Sequence, residues 1–392
     1  MGALDNLKIL DFTTLLPGPY ATLMLADMGA EVLKIASASR YDLVAGQEPF
    51  VADTEVSANQ AWLGRNKKSI FLNLKSQQAI DIVKRLILDY DIIIEQFRPG
   101  VMDKLGLGYE ELSKLNPKLI YCSLTGYGQT GPLKDAAGHD INYISRSGII
   151  SHAGRKEDGP SLMNFQIADI AVGSMNSVIG ILAAVNSRNL TGKGQYIDIS
   201  MMDGCIPFNS LSGAAYLVSN EMPSREGELL NGGSLYDFYE TADGEYMSVG
   251  ALEPKFFESF CTAINRPDLI KETATPADVQ KIKNEIRSIF KEKTKAEWTS
   301  IFKDFDACVQ PVLNLQEAFD EDEQIKEREM IVEVSNPLKP DSSIRQMANP
   351  IKFSDTRCEY KFAGYPLGYH TKEIIEALGY DYEKLKHDKT FD

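Results

Sequence analysis

The first 125 residues alternate short apolar runs with helical stretches, a pattern that few folds accept. Residues 7–12 read as a buried strand. Pro17-Gly18-Pro19 follows, and a proline in the first helical turn is a start signal. Residues 20–28 are the helix, which Gly29 ends, and residues 31–35 are the next strand. Strands joined by one helical crossover lie parallel. Residues 36–61 are irregular and polar, a surface excursion. The alternation then resumes, with strands at 69–74, 91–97 and 119–124 and helices at 77–90 and 109–115. This repetition predicts an α/β fold with a doubly wound parallel sheet.

Further on, residues 169–187 read as one apolar, buried helix closed by Thr191-Gly192-Lys193-Gly194, and 196–201 as an alternating strand. Residues 203–225 suit a linking helix with a loop. A second domain starts near Gly232. Two alternating runs flank Asp243-Gly244 there, a strong hairpin signal. Helical stretches follow at 255–264, 277–292, 295–305 and 315–329, and a last helix at 371–378.

Composition narrows the function. The net charge is 41 − 56 = −15, which disfavours non-specific binding to nucleic acid or anionic membranes but leaves room for a local phosphate site. Cys122, Cys205, Cys261, Cys308 and Cys358 are scattered and odd in number, against a disulfide framework or structural zinc site and in keeping with a reducing compartment. No basic start precedes an apolar core at the N-terminus. The longest apolar run, 178–185, is too short to span a bilayer. A cytoplasmic protein is expected.

Two residues stand out chemically. His139 is one of four histidines and sits beside Asp140; about one loop later Asp169 opens the apolar helix. A carboxylate in a first helical turn is held in its ionised form by the helix dipole. A histidine and an ionised carboxylate facing one pocket make an acid/base pair. The same residues also read as a loop histidine and a helix cap, and the spacing alone leaves both open. Gly126-x-Gly128-x-x-Gly131 follows a strand but runs into Pro132 without the helix or the ribose-binding acid of a dinucleotide site. Arg98, Lys75 and Arg40 lie past three strands, where open parallel sheets bind ligands, and together suit a polyphosphate; singly, each reads as a surface charge. Glu253 precedes Pro254 at a helix start.

The chain resembles the family III CoA transferases, and within them the α-methylacyl-CoA racemase branch. The resemblance rests on Leu16-Pro17-Gly18-Pro19, Leu25-Ala26-Asp27-Met28-Gly29-Ala30, Asn66-Lys67-Lys68-Ser69, Arg98-Pro99-Gly100-Val101-Met102 and Gly126-Tyr127-Gly128-Gln129-Thr130-Gly131-Pro132. Its most specific pieces are Gly138-His139-Asp140-Ile141-Asn142-Tyr143 and Gly250-Ala251-Leu252-Glu253-Pro254-Lys255-Phe256, which are motifs of that branch. It implies a Rossmann-like large domain built from both ends of the chain, a smaller α+β domain, and an interlocked homodimer. In this sequence the division falls at 1–202 for the first part of the large domain, 203–231 for a linker, 232–330 for the small domain and 331–392 for a linker and return.

By resemblance, His139 and Asp169 are the two acid/base residues and Asp140 and Glu253 their supporting acids. Arg40, Leu72, Asn73, Leu74, Lys75, Gln96, Phe97, Arg98 and Lys104 contact CoA, which enters as part of an acyl-CoA substrate. No metal or other cofactor is implied. The reaction implied is 1,1-proton transfer on a 2-methylacyl-CoA, with the enolate oxygen met by backbone N–H groups near Asp169. The alternative is CoA transfer, in which Asp169 attacks the acyl-CoA carbonyl; a non-catalytic acyl-CoA-binding protein is a third possibility. Transferases generally lack a histidine at the position of His139, and many carry a glycine run where this chain has Asn231-Gly232-Gly233-Ser234-Leu235.

Overall fold

The structure is a computed structural model that describes residues 2–271 and 276–392. By packing, the chain falls into two units, one of residues 1–147, 165–206 and 324–392 and one of residues 148–164 and 207–323. This division differs from the one expected. Residues 148–164 leave the large unit, residues 207–231 join the smaller one instead of linking, and 324–330 go with the large one.

The large unit is built on six parallel strands: β1 (Lys8–Asp11), β2 (Glu31–Ala36), β3 (Lys67–Phe71), β4 (Ile92–Glu95), β5 (Ile120–Thr125) and β6 (Tyr196–Ser200). Their order is β3-β2-β1-β4-β5-β6, as a doubly wound sheet requires, and the order reverses between β1 and β4. Successive side chains alternate between two cores. Leu10, Leu33, Ile70 and Ile93 face the Gln77–Leu86 helix with Ile375 and Leu385 of the C-terminal return. Ile9, Val32, Ile92, Ile94 and Cys122 face the Pro17–Asp27 helix and Val178, Ile181 and Ala184.

Several elements depart from expectation for local reasons. The strand expected at 69–74 begins and ends earlier. Lys67 is a buried member of a charge cluster, and past Phe71 the backbone turns to the tail, with the Asn73 N–H donating to the Thr390 carbonyl at 2.8 Å. The excursion at 36–61 ends in a short helix, Ala58–Leu63, whose cap Ser57 accepts from the Gln60 N–H at 2.9 Å. The helix expected at 315–329 breaks at the extended Asp322. The return contains an antiparallel hairpin, β10 (Ile331–Ser335) with β11 (Ser343–Met347), where a linker was expected. Arg65 ties it down, with Nη1 donating to Gln346 Oε1 at 3.0 Å and the Met347 carbonyl at 2.9 Å. A second short helix, Tyr382–His387, follows Thr371–Ala377.

Helical structure runs unbroken from Ile167 to Thr191, longer than the apolar run suggested. By length and composition alone it is apolar enough to cross a membrane. Val178, Ile181 and Ala184 on this helix are packed in the sheet's core.

In the smaller unit, the hairpin expected about Asp243-Gly244 forms from β7 (Asp237–Glu240) and β8 (Tyr246–Val249). A third strand, β9 (Val309–Pro311), pairs with β8. Helices Pro254–Ala263, Pro276–Phe290 and Lys295–Phe302 accompany this sheet, and Tyr239, Phe260, Phe290, Trp298 and Phe302 fill the core.

Candidate active site

The crevice of a doubly wound sheet opens at the carboxyl ends of the strands, where their order reverses. A cavity of about 480 Å³ lies there. Gln96, Phe97 and Arg98 line it just beyond β4, Arg40 beyond β2, and Leu124 to Tyr127 at the end of β5. The loop after β5 supplies Lys134 and, further along, Gly138 and His139. Gln96 is fixed by accepting the Gly18 N–H at 3.3 Å. Arg40, Arg98 and Lys134 have no carboxylate in ion-pair range among the described residues, although the chain is strongly acidic.

Other residues assigned to CoA by resemblance do not line this cavity. Leu72 is 1% exposed in the hydrophobic core, and Leu74 packs against the same cluster. Asn73 Oδ1 accepts the Lys75 N–H at 3.1 Å. Lys75 and Lys104 are exposed. Lys75 lies four residues beyond β3, because the strand stops at Phe71. Lys134 was missed, since nothing in a polar loop tells which of its charges faces a cavity.

His139 ends the loop as N-cap of the Asp140–Arg146 helix, its N–H donating to Asn142 Oδ1 at 3.0 Å. Two glycines make room for this corner. A Cβ on Gly126 or Gly138 would sit 2.4 or 2.6 Å from the Tyr143 ring. The Tyr143 hydroxyl donates to the Gly138 carbonyl at 2.6 Å.

Asp140 links the two acid/base candidates. Its Oδ1 accepts the Asp169 N–H at 3.0 Å, so the residue next to His139 holds the backbone of Asp169. Asp169 lies within π-helical turns, Ile167–Ser174, ahead of the α-helical Met175–Thr191. Such turns are rare and recur at functional sites.

This geometry corrects two expectations. Asp169 was expected to be held ionised by the helix dipole. Instead burial, and then the neighbouring Asp140 carboxylate, push its acid up to about 7. Asp140 is also raised by burial, although the N–H groups of Asp169 and Ala168 oppose the shift. The enolate oxygen was expected to meet backbone N–H groups near Asp169, and Asp140 takes two of these, those of Asp169 and Ala168. Cys205, which no sequence pattern marks, also lies within the influence of these two acids. Burial, Asp140 and Asp169 push its thiol up to about 11, keeping it protonated.

Glu253 lies in the smaller unit, exposed, as N-cap of the Pro254–Ala263 helix. Among the described residues no cluster of three or more His, Cys, Asp or Glu side chains could hold a metal ion.

The profile of CoA-transferase family III matches residues 4–371. The chain belongs to that family. Within family III it is 35% identical to the α-methylacyl-CoA racemase of Homo sapiens, over 98% of this chain and 95% of that one. It is 31% identical to the succinyl-CoA:glutarate CoA-transferase of Mus musculus, over 97% of this chain and 88% of that one. A crystal structure of a CaiB/BaiF family protein from Brucella suis superposes with a TM-score of 0.81 at 29% identity, over 96% of this chain and 99% of that one. This family III member is thus an α/β enzyme whose relatives include both racemases and CoA transferases.

Proposed function

We propose that this protein is a 2-methylacyl-CoA racemase, cytoplasmic and homodimeric, with no metal or redox cofactor. The observation that carries the reading is the Asp140 junction. It ties Asp169 to the residue beside His139 and helps set the Asp169 acid near 7. An acid/base group works best with a pKa near the working pH. His139 removes the α-proton from one face of the thioester, giving the enolate. Protonated Asp169 returns a proton to the opposite face. In the other direction the roles exchange. Arg40 and Arg98 hold the phosphates of CoA. Glu253 takes its supporting role from family resemblance alone.

CoA transfer is the second reading, supported by relatives such as the glutarate transferase. In it, Asp169 attacks the acyl carbonyl, a mixed anhydride forms and the CoA thiolate leaves. A nucleophilic carboxylate must be ionised, and burial beside Asp140 works against that. His139→Ala separates the readings. Racemisation should fall by at least the 10²–10⁴-fold of a lost general base. A transfer that depends on Asp169 should hardly change. If His139→Ala racemised at the wild-type rate, the racemase reading would fail.

The homodimer is supported by the Ser210–Ser219 helix, which buries none of its residues within one chain although Leu211, Leu217 and Val218 are 65%, 81% and 87% exposed. Large apolar side chains this exposed on one helix suit an interface. Sedimentation should give a dimer at every accessible concentration; a folded, active monomer would contradict it.

A further inference from the structure

We propose that Lys134 is a third phosphate-binding cation of this site and that it grips the diphosphate of the acyl-CoA. The inference rests on the acyl-CoA reading above and adds a residue to it. Arg40, Arg98 and Lys134 come from the loops after β2, β4 and β5 and line one cavity. Among the described residues none of the three is neutralised by a carboxylate, in a chain of net charge −15. Some surface cations are paired, as Lys68 is with Glu373 at 2.7 Å and Lys339 with Asp53 at 2.6 Å, whereas the three at this cavity keep their charge free. Three left unpaired around one cavity form a prepared anion site.

The loop argues for the diphosphate. Gly131, at φ +86°, turns the chain after β5, and the Ala136 N–H donates to the Leu133 carbonyl at 2.8 Å. The same wall continues through Ala136, Ala137 and Gly138 to His139. Lys134 is five residues from His139 in sequence, at most about 17 Å of extended chain. Of the charged groups on CoA, the diphosphate lies nearer the thioester than the 3′-phosphate does. The cation carried on the histidine's own loop therefore meets the diphosphate. Lysine suits this, as a point charge on a flexible stem with three donors.

The test is calorimetric binding of free CoA and of dephospho-CoA, which lacks the 3′-phosphate, to wild type, Lys134→Ala, Lys134→Arg and Arg98→Ala. Lys134→Ala should weaken both ligands by the same factor, about tenfold, and Lys134→Arg should restore most of it. With acyl-CoA, KM should rise while kcat holds, a split that misfolding would not give. An unchanged Kd for both ligands overturns the inference. So does a loss seen with CoA but absent with dephospho-CoA, which would assign Lys134 to the 3′-phosphate. If Arg98→Ala weakens CoA and Lys134→Ala does not, only this inference fails. If neither variant affects CoA, the assignment of the cavity to acyl-CoA fails as well.

Discussion

Asp11 is fully buried and Asp169 half-buried in the large unit, and their surroundings shift their ionisation in opposite directions. Asp11 stands at the end of β1. Its Oδ1 accepts the Thr13 N–H at 2.8 Å and hydroxyl at 2.6 Å, and its Oδ2 the Thr22 hydroxyl at 2.6 Å. Lys34 and Lys67 stand at 3.6 and 3.8 Å. Burial would raise its acid, but the two lysines and the hydroxyls outweigh it and hold the carboxyl below its usual range. Lys67 carries the strain instead: burial pulls it down to about 7 against the attraction of Asp11. Asp169 has an acid for a neighbour, and burial lifts it to about 7. One site spends its polar partners on fixing a charge; the other withholds them and leaves a proton free to move.

The largest effect should come from deleting Asp11. Asp11→Ala strands two buried lysines and should cost roughly 3–5 kcal/mol in urea unfolding. Asp169→Asn should unfold no earlier than wild type while activity collapses. A tolerated Asp11→Ala, or an unfolded Asp169→Asn, would erase the contrast.

The pH dependence of stability sharpens it, because the two signs differ. Asp11 has a lowered folded pKa. Its contribution is present above the unfolded value of about 3.9 and is lost as pH falls through the folded value. Asp169 is raised, so between about 3.9 and 7 the folded state binds the extra proton and stability declines as pH rises. Asp169→Asn should therefore gain on wild type over that window. Chemical denaturation at stepped pH measures it; a gap that stays constant from acid to neutral would show that Asp169 is not raised.

A smaller effect isolates the neighbour. Asp140→Asn keeps an oxygen for the Asp169 N–H but removes the like charge. The limb of the kcat/KM profile near pH 7, which belongs to the coupled pair, should move to lower pH. A limb that stays in place would assign the shift to burial alone.

The two sites also differ in how far the sequence announced them. The β1, β2 and β5 runs and the 109–115 helix could be read because their apolar periodicity is local. His139 and Asp169 could be named through motif resemblance. What joins them could not: Asp140 bonding the Asp169 backbone spans a separation of 29 residues that no pattern encodes. The helix dipole does not decide the ionisation of Asp169, because burial and the second acid, both set by distant parts of the chain, outweigh it. The strand at 309–311 is three residues ending in proline, too short to carry an alternation. The Ala58–Leu63 helix did carry a signal, Ser57 with Gln60 three residues later, inside a stretch that looked irregular.

The central claim is that His139 and Asp169 exchange an α-proton on opposite faces of an acyl-CoA. The direct measurement is incubation of one epimer of a 2-methylacyl-CoA with wild-type enzyme in D2O, followed by mass spectrometry and chiral analysis. The account predicts deuterium at the α-carbon together with epimerisation, because each base trades its proton with solvent between turnovers. CoA passing to a free carboxylic acid, with no α-deuterium in any 2-methylacyl-CoA tested, would contradict it and leave Asp169 as a nucleophile.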